Sequence, residues 1–382
     1  MIRLTTTALA ALLIAQTAFA GGVERTIQSV APIFEEGRYV EFSFRSVAPS
    51  VDGVGSGAAA SVVTPTPGVA SGEMAPSYGQ FGMALKMPIT EKVDVAFILD
   101  EPFGADTAYP AGTYFAASST AELNSVAATG VLRYKFNEKF SAFAGARAQT
   151  LEATASLPSV AGYTANGQQD LSFGYLVGAA YERKELGLRV ALTYNSSITH
   201  DLTTTETSVV PGLTSVTSNV EIVTPESVNL EFRTGLNPKT LLFGYVRWVN
   251  WSDFTIAPGT YRTLTTVAGL NPSGSALVSF QDDTITYNLG IGRRLSDTWS
   301  IAGSVTYEEQ SGNLQSNLAP RDGRTSVGLA ATYTQGNMKV TTGISYTWLG
   351  DANTQLLNSG VAAASFTDNS TLGFGMKVGF NF

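Results

Sequence analysis

From about residue 38 onward the chain repeats one pattern: ten or so residues with apolar side chains at every second position, then a polar interruption. Phe81, Met83, Leu85 and Met87 oppose Gln80, Gly82, Ala84 and Lys86. Leu188, Val190, Leu192 and Tyr194 oppose Arg189, Ala191, Thr193 and Asn195, and Val327, Leu329, Ala331 and Tyr333 oppose Ser326, Gly328, Ala330 and Thr332. A period of two marks a strand with one greasy face. The interruptions are of two kinds. Short ones are TEK (90–92), NEK (137–139), ERKELG (182–187), NPK (237–239), LSD (295–297) and QGN (335–337). Long ones, rich in Ser, Thr, Ala, Gly and Pro, fall near 52–77, 110–120, 159–168, 205–216, 259–279, 313–323 and 358–369. The two kinds alternate strictly, so six short and seven long connections join fourteen strands, with both termini on the short-turn side.

In lipid every backbone polar group needs an internal partner, so a spanning sheet must close on itself. Short periplasmic turns and long extracellular loops are the asymmetry of outer-membrane barrels. The expectation is therefore an all-β fold: a transmembrane antiparallel β-barrel of 14 strands over 38–382, in the bacterial outer membrane. Tyr134, Phe136, Trp248, Trp299, Tyr346 and Trp348, near strand ends, suit interfacial girdles. Only 14% of residues are charged and no long apolar run follows residue 20, which excludes a helical membrane protein. The absence of cysteine excludes a disulfide framework, and the acidic balance with scattered basic residues leaves no nucleic-acid footprint. Residues 1–20, MIRLTTTALAALLIAQTAFA, read as a secretory signal peptide ending in an A-x-A site. At the other end, LGFGMKVGFNF places Leu372, Phe374, Met376, Val378, Phe380 and Phe382 on one face. That ending resembles the assembly signal of outer-membrane barrels and implies the barrel-assembly machinery as a partner. A sandwich strand is the other reading. A monomer surrounded by outer-membrane lipid and lipopolysaccharide is expected.

One strand is interrupted in its own middle. FILDEPFGADTAYP (97–110) begins as a clean alternation, then carries Pro102 and Gly104 before strand-like character resumes at Tyr109. Proline has no N–H for the ladder, and glycine permits backbone angles that other residues avoid. Asp100, Glu101, Pro102, Phe103 and Gly104 are thus the candidate site of a local opening, the alternative being a simple bulge near the rim.

The order of several further motifs resembles the FadL-type outer-membrane transporters of long-chain fatty acids and hydrocarbons. ALTYNSSITHDL (191–202), TPES (224–227), WVNWSDF (248–254) and APRDGR (319–324) carry that resemblance across nearly the whole chain. It implies an N-terminal hatch inside the lumen, here 21–37, with Val23, Ile27, Val30, Ile33 and Phe34 turned inward and Glu24, Arg25, Glu35 and Glu36 tying it to the wall. The family's Asn-Pro-Ala hatch motif is absent and the segment is short. The resemblance also implies that the third strand, the one carrying Pro102, bends inward and lets a hydrophobic ligand leave sideways into the membrane, by passive diffusion.

Strand phase supplies candidate ligand contacts. Phe243, Tyr245, Arg247, Val249 and Trp251 should point inward from strand nine, and Phe143, Gly145, Arg147, Gln149 and Leu151 from strand five. Phe143, Arg147, Phe243, Tyr245, Arg247 and Trp251 are the chosen ligand-binding set, because a guanidinium in an apolar row can grip a carboxylate bidentately. The alternative for either arginine is a lumenal salt bridge to Asp94, Asp100, Glu41 or Glu231. Tyr114, Phe115 and Tyr163 offer an exposed landing patch on the outer loops, unless they pack over the loop base. A lipid hydrolase reading would need His200, the only histidine, with Ser196 or Ser197; His200 is expected in solvent at the outer end of strand seven, so no catalytic residue is assigned. No metal site and no cofactor are expected. The rival function is a general diffusion porin for small hydrophilic solutes.

Overall fold

The computed structural model describes residues 22–57, 66–267, 271, 273–357 and 359–382; the expected signal peptide lies outside them. Fourteen strands follow one another around a closed antiparallel sheet. The first five are β1 Tyr39–Ser50, β2 Tyr78–Pro88, β3 in two halves, Val93–Asp100 and Gly104–Ala108, β4 Thr120–Lys135 and β5 Phe140–Leu157. Next come β6 Tyr163–Arg183, β7 in two halves, Leu188–Asn195 and Ile198–Thr207, β8 likewise, Val216–Thr224 and Ser227–Asn237, and β9 Thr240–Val249. The last are β10 Thr284–Arg294, β11 Trp299–Glu308, β12 Arg324–Gln335, β13 Met338–Leu349 and β14 Ser370–Asn381. Closure is made by β1, which pairs with β14 from Tyr39↔Asn381 to Ser50↔Ser370 and with β2 from Tyr39↔Lys86 to Val47↔Tyr78.

The alternation seen in the sequence becomes the two surfaces of the wall. Phe42, Phe44, Phe81, Leu132, Leu192, Leu289, Val305, Leu329, Ile344 and Phe374 stand exposed on the outside, where lipid covers them. Tyr134, Phe136, Trp299, Tyr346 and Trp348 are also exposed, while Trp248 is half-buried and donates its indole N–H to Asp283 at 3.2 Å. Replacing Leu329, mid-strand and outward, with Arg is expected to destabilise the barrel by about 2–4 kcal/mol, read as a shift in the urea midpoint for folding into vesicles.

Turn chemistry makes the short connections tight. Asn137 accepts from the N–H groups of Lys139 (2.8 Å) and Phe140 (2.9 Å), Asn237 from Lys239 (3.0 Å), and Ser296 from Thr298 (3.2 Å) and Trp299 (3.0 Å). The long connections cover the opposite end. Val54–Gly55, Gln315–Ser316, Ala352–Gln355 and Ala362–Phe366 form a small four-stranded sheet there, and Thr255–Ile256 pairs with Val278–Ser279.

Two details depart from the sequence reading. The stretch 159–168 is largely strand: β6 begins at Tyr163, so only 158–162 connect β5 to β6. The long segment after β9 contains an α-helix, Gly259–Val267, although its Thr-rich sequence is a weak helix former. Its start is held from outside, because the Glu206 carboxylate accepts from the N–H groups of Thr260 and Tyr261, both at 3.1 Å.

Candidate functional site

Three things meet inside the barrel: the broken strand, the N-terminal segment and two cavities.

The break in β3 is a one-residue mismatch. Asp100 pairs with Ala127 of β4 and Gly104 with Asn124, so three β3 residues face two on β4. An extra residue turns every later side chain to the opposite face. The upper half of β3 stays in phase with β4 but falls out of phase with β2, which has no matching bulge. Pairing of β2 with β3 accordingly runs only from Pro88↔Asp94 to Met83↔Leu99, and Tyr78–Gly82 pairs with β1 alone. The displaced backbone is satisfied locally: Ser125 Oγ donates to Phe103 O (2.8 Å) and accepts from its N–H (2.9 Å). On the β2 side, Phe81 N–H reaches the Glu101 carboxylate at 3.3 Å.

The displaced residues turn inward and bind the N-terminal segment. Arg25 N–H donates to Pro102 O and Gly104 N–H to Val23 O, both at 2.8 Å, with an isolated antiparallel bridge between Glu24 and Phe103. The Arg25 side chain spans the two sides of the opening, stacking 4.4 Å over the Tyr78 ring of β2 and pairing with Asp106 of β3 at 2.5 Å. Gly104 permits this, since a Cβ there would come within 2.4 Å of the guanidinium.

Across the lumen the same segment is anchored on β8 and β9. Arg247 is fully buried and donates from Nε to Glu24 at 2.8 Å, with a second bond from its terminal nitrogen to the same oxygen. It also donates to Asn229 (2.6 Å), Ser227 (3.0 Å), Ile27 O (3.2 Å) and Gln28 (3.3 Å). Ser29 donates to Glu231 at 2.6 Å. Further on, Ala31–Phe34 forms one 3-10 turn with Pro32 near its start. Val30, Ile33 and Phe34 pack there against Ala96, Val131, Phe143, Leu176, Ala180 and Ala191, and the guanidinium groups of Arg133 and Arg189 each lie 4.5 Å from the Phe34 ring. Glu35 approaches Lys339 at 3.8 Å.

The expected ligand set is therefore dispersed. Arg247 has a carboxylate partner, but it is Glu24 and none of the four wall acids expected. Arg147 is held by Thr129 (3.0 Å) and Asn195 (3.2 Å). Phe143 packs edge-on against Phe34, with centroids 5.8 Å apart. Phe243 and Tyr245 line a cavity of about 170 Å³ beside the N-terminal segment, where apolar side chains such as Met83, Ile98 and Leu99 mix with Arg45, Asp100, Glu231 and Lys377. Trp251 lies above, edge-on to Phe103 at 6.0 Å and beside Phe254 and Phe280.

A second, smaller cavity of about 50 Å³ sits above Val23. Small and aliphatic side chains line it, including Ala105, Leu123, Ala155, Leu202, Ile222 and Leu318. None of the six chosen ligand residues reaches it. Continuing the phase of each strand past its bulge would have found these positions. Ala105 and Thr107 face inward because β3 changes parity at the break.

Tyr114, Phe115 and Tyr163 are not an exposed patch: all three are buried, Tyr114 against Tyr109 and Phe115, and Tyr163 against Tyr261 with its hydroxyl on Glu206 at 2.8 Å. His200 is not solvated either. It is fully buried, bonded to Asp170 at 2.9 Å and Gln149 at 3.2 Å.

Residues 36–382 match the family described as outer membrane protein transport protein (OMPP1/FadL/TodX). None of the curated protein sequences matches. Among solved structures, a Pseudomonas aeruginosa FadL homologue superposes with a TM-score of 0.72 at 16% identity, covering 92% of both chains. The P. putida toluene transporter TodX superposes at 0.64 with 12% identity, covering 91% of both. The Ralstonia pickettii toluene transporter TbuX superposes at 0.60 with 13% identity, covering 91% of this chain and 90% of its own. At these identities the likeness speaks to the fold.

Proposed function

The chain belongs to the OMPP1/FadL/TodX family of outer-membrane transport proteins, and from that premise we propose that it passes hydrophobic compounds from the lumen sideways into the membrane through the break in β3. The cargo class is long-chain fatty acids or related hydrocarbons, moving by passive diffusion. One observation carries the reading: the wall's ladder stops between β2 and β3 above Met83↔Leu99, and the freed strand pairs with the N-terminal segment. Residues 22–37 then act as a hatch whose Val23–Thr26 end closes the opening.

Within that class an uncharged hydrocarbon fits best. The cavity beside Val23 has no basic side chain in its lining, and Arg247, the natural partner for a carboxylate, already holds Glu24. At about 50 Å³ the cavity is smaller than the roughly 150 Å³ that houses a benzene, so loading requires the hatch or the loops to move. A fatty acid could displace Glu24 from Arg247 only by supplying a carboxylate in its place.

The test is uptake into proteoliposomes whose outer leaflet is lipopolysaccharide, with protein-free vesicles of the same composition as the reference. Toluene-like compounds are expected to enter fastest, oleate more slowly and a disaccharide at the rate of empty vesicles. Large steady conductance in a planar bilayer, together with rapid sugar entry, would instead establish a general porin.

A further inference from the structure

The wall contains a second discontinuity, between β6 and β7. Their pairing runs from Arg183↔Leu188 up to Leu176↔Asn195, stops, and resumes only for four residues from Thr204↔Gly167 to Thr207↔Thr164. Residues 168–175 and 196–203 lie opposite one another in between and form no ladder.

Two staggered parity changes explain it, one a bulge on β6 and one shared by β7 and β8 without a register shift. On β6 the parity changes at Gln168–Gln169, two residues set against Glu152 alone on β5, as the register steps from Leu151↔Asp170 to Ala153↔Gly167. On β7 it changes at Ser196–Ser197, which face Pro225–Glu226 of β8. Between these points Ser172 and Asp170 on β6 turn inward, as do Ile198, His200 and Leu202 on β7. The unshifted register then sets each inward residue opposite an outward one, and pleats that disagree cannot exchange hydrogen bonds. This is the defect found at β3, produced a second time.

One backbone bond crosses at the foot of the seam, and side chains bridge it above. At its foot, Ser196 N–H donates to Tyr175 O (2.9 Å) and Tyr175 N–H to Ser196 Oγ (3.0 Å). Higher up, His200 Nδ1 meets Asp170 at 2.9 Å. Ile198 lies over Gly174, where a Cβ would come within 2.6 Å of its Cγ1. The inner end opens on the apolar cavity, whose lining includes Gly167, Leu202 and Thr204. On the outside, β6 shows Leu171 and Phe173, the latter 73% exposed, whereas β7 shows Thr199, Asp201 and Thr203. The seam thus sits where the apolar belt gives way to polar wall, at the outer membrane interface. Above the cavity, Ile256, Pro258, Leu277, Val278, Leu318 and Ala319 close the roof.

We propose that this seam is a second lateral port, through which uncharged apolar molecules at the outer interface enter the cavity beneath the loops, with His200 and Asp170 as its latch. The proposal rests on the transport reading above and adds an entrance distinct from the β3 exit. Because the chain has no cysteine, a Phe173→Cys/Thr199→Cys pair, both on the outer face and one position apart across the seam, can be joined after folding by a short disulfide-forming cross-linker. Cross-linking is expected to slow toluene entry into proteoliposomes about tenfold, with reductant restoring the rate. A Val305→Cys/Val327→Cys pair, directly opposed on β11 and β12, is expected to leave the rate unchanged when cross-linked. An unaltered rate with the seam locked would overturn the port and leave the transport reading standing. Toluene entry through the reduced protein no faster than into protein-free vesicles would overturn that reading, and the port with it.

Discussion

Deleting Pro102 is expected to seal the wall and reduce hydrocarbon release about a hundredfold, equivalent to roughly 2.7 kcal/mol of added barrier. Removing one residue leaves two on β3 between Asp100 and Gly104, matching Ser125 and Val126 on β4. The upper half of β3 then returns to the phase of β2, and Tyr78–Gly82 gains the partner it lacks. The variant gains ladder bonds, so loss of transport would not reflect misfolding; heat-modifiable migration on gels checks that the barrel has formed. Undiminished release into the bilayer would show that cargo leaves elsewhere.

Arg247→Ala is expected to loosen the N-terminal segment by about 3–5 kcal/mol, because it strands the buried Glu24 carboxylate without a partner. Limited proteolysis should then cut within 22–37, and planar-bilayer current should rise above that of the parent protein. A Glu24→Gln/Arg247→Met double variant removes both charges and is expected to recover much of the protection. If Arg247 instead serves cargo directly, the single variant would lose oleate binding while its N-terminal segment stayed resistant.

Much of the fold was legible because a wall one residue thick has to show its two faces in the sequence. The alternating Leu, Phe and Val positions and the Asn- and Ser-capped turns settle strand number and orientation without tertiary help. Pro102 and Gly104 likewise announce a break. What stayed hidden depends on residues distant in the chain. Glu24 meets Arg247 across 223 positions, and no local spacing foretells that pairing. The parity change at Gln168–Gln169 carries no proline or glycine, and the one at Ser196–Ser197 is marked only by Pro225 on the facing strand, so the seam they create together could not be read from composition. The strand end alone points His200 to solvent, because its partner Asp170 lies thirty positions away on another strand. The helix Gly259–Val267 owes its start to Glu206, a residue of β7.

The N-terminal segment joins the β2–β3 edge to β8 and β9 on another part of the wall, through Arg25 on one side and Glu24 on the other. Two adjacent residues thus bind separate places, and their equilibria are thermodynamically linked. On the proposed role of this segment as a hatch, a molecule that competes for Arg247 and weakens the contacts at Tyr78 and Asp106 has its own affinity at Arg247 raised by the same factor when Arg25 is prised loose. Reciprocity of that kind would make the barrel respond to its own load, with occupancy on one side setting the leak on the other.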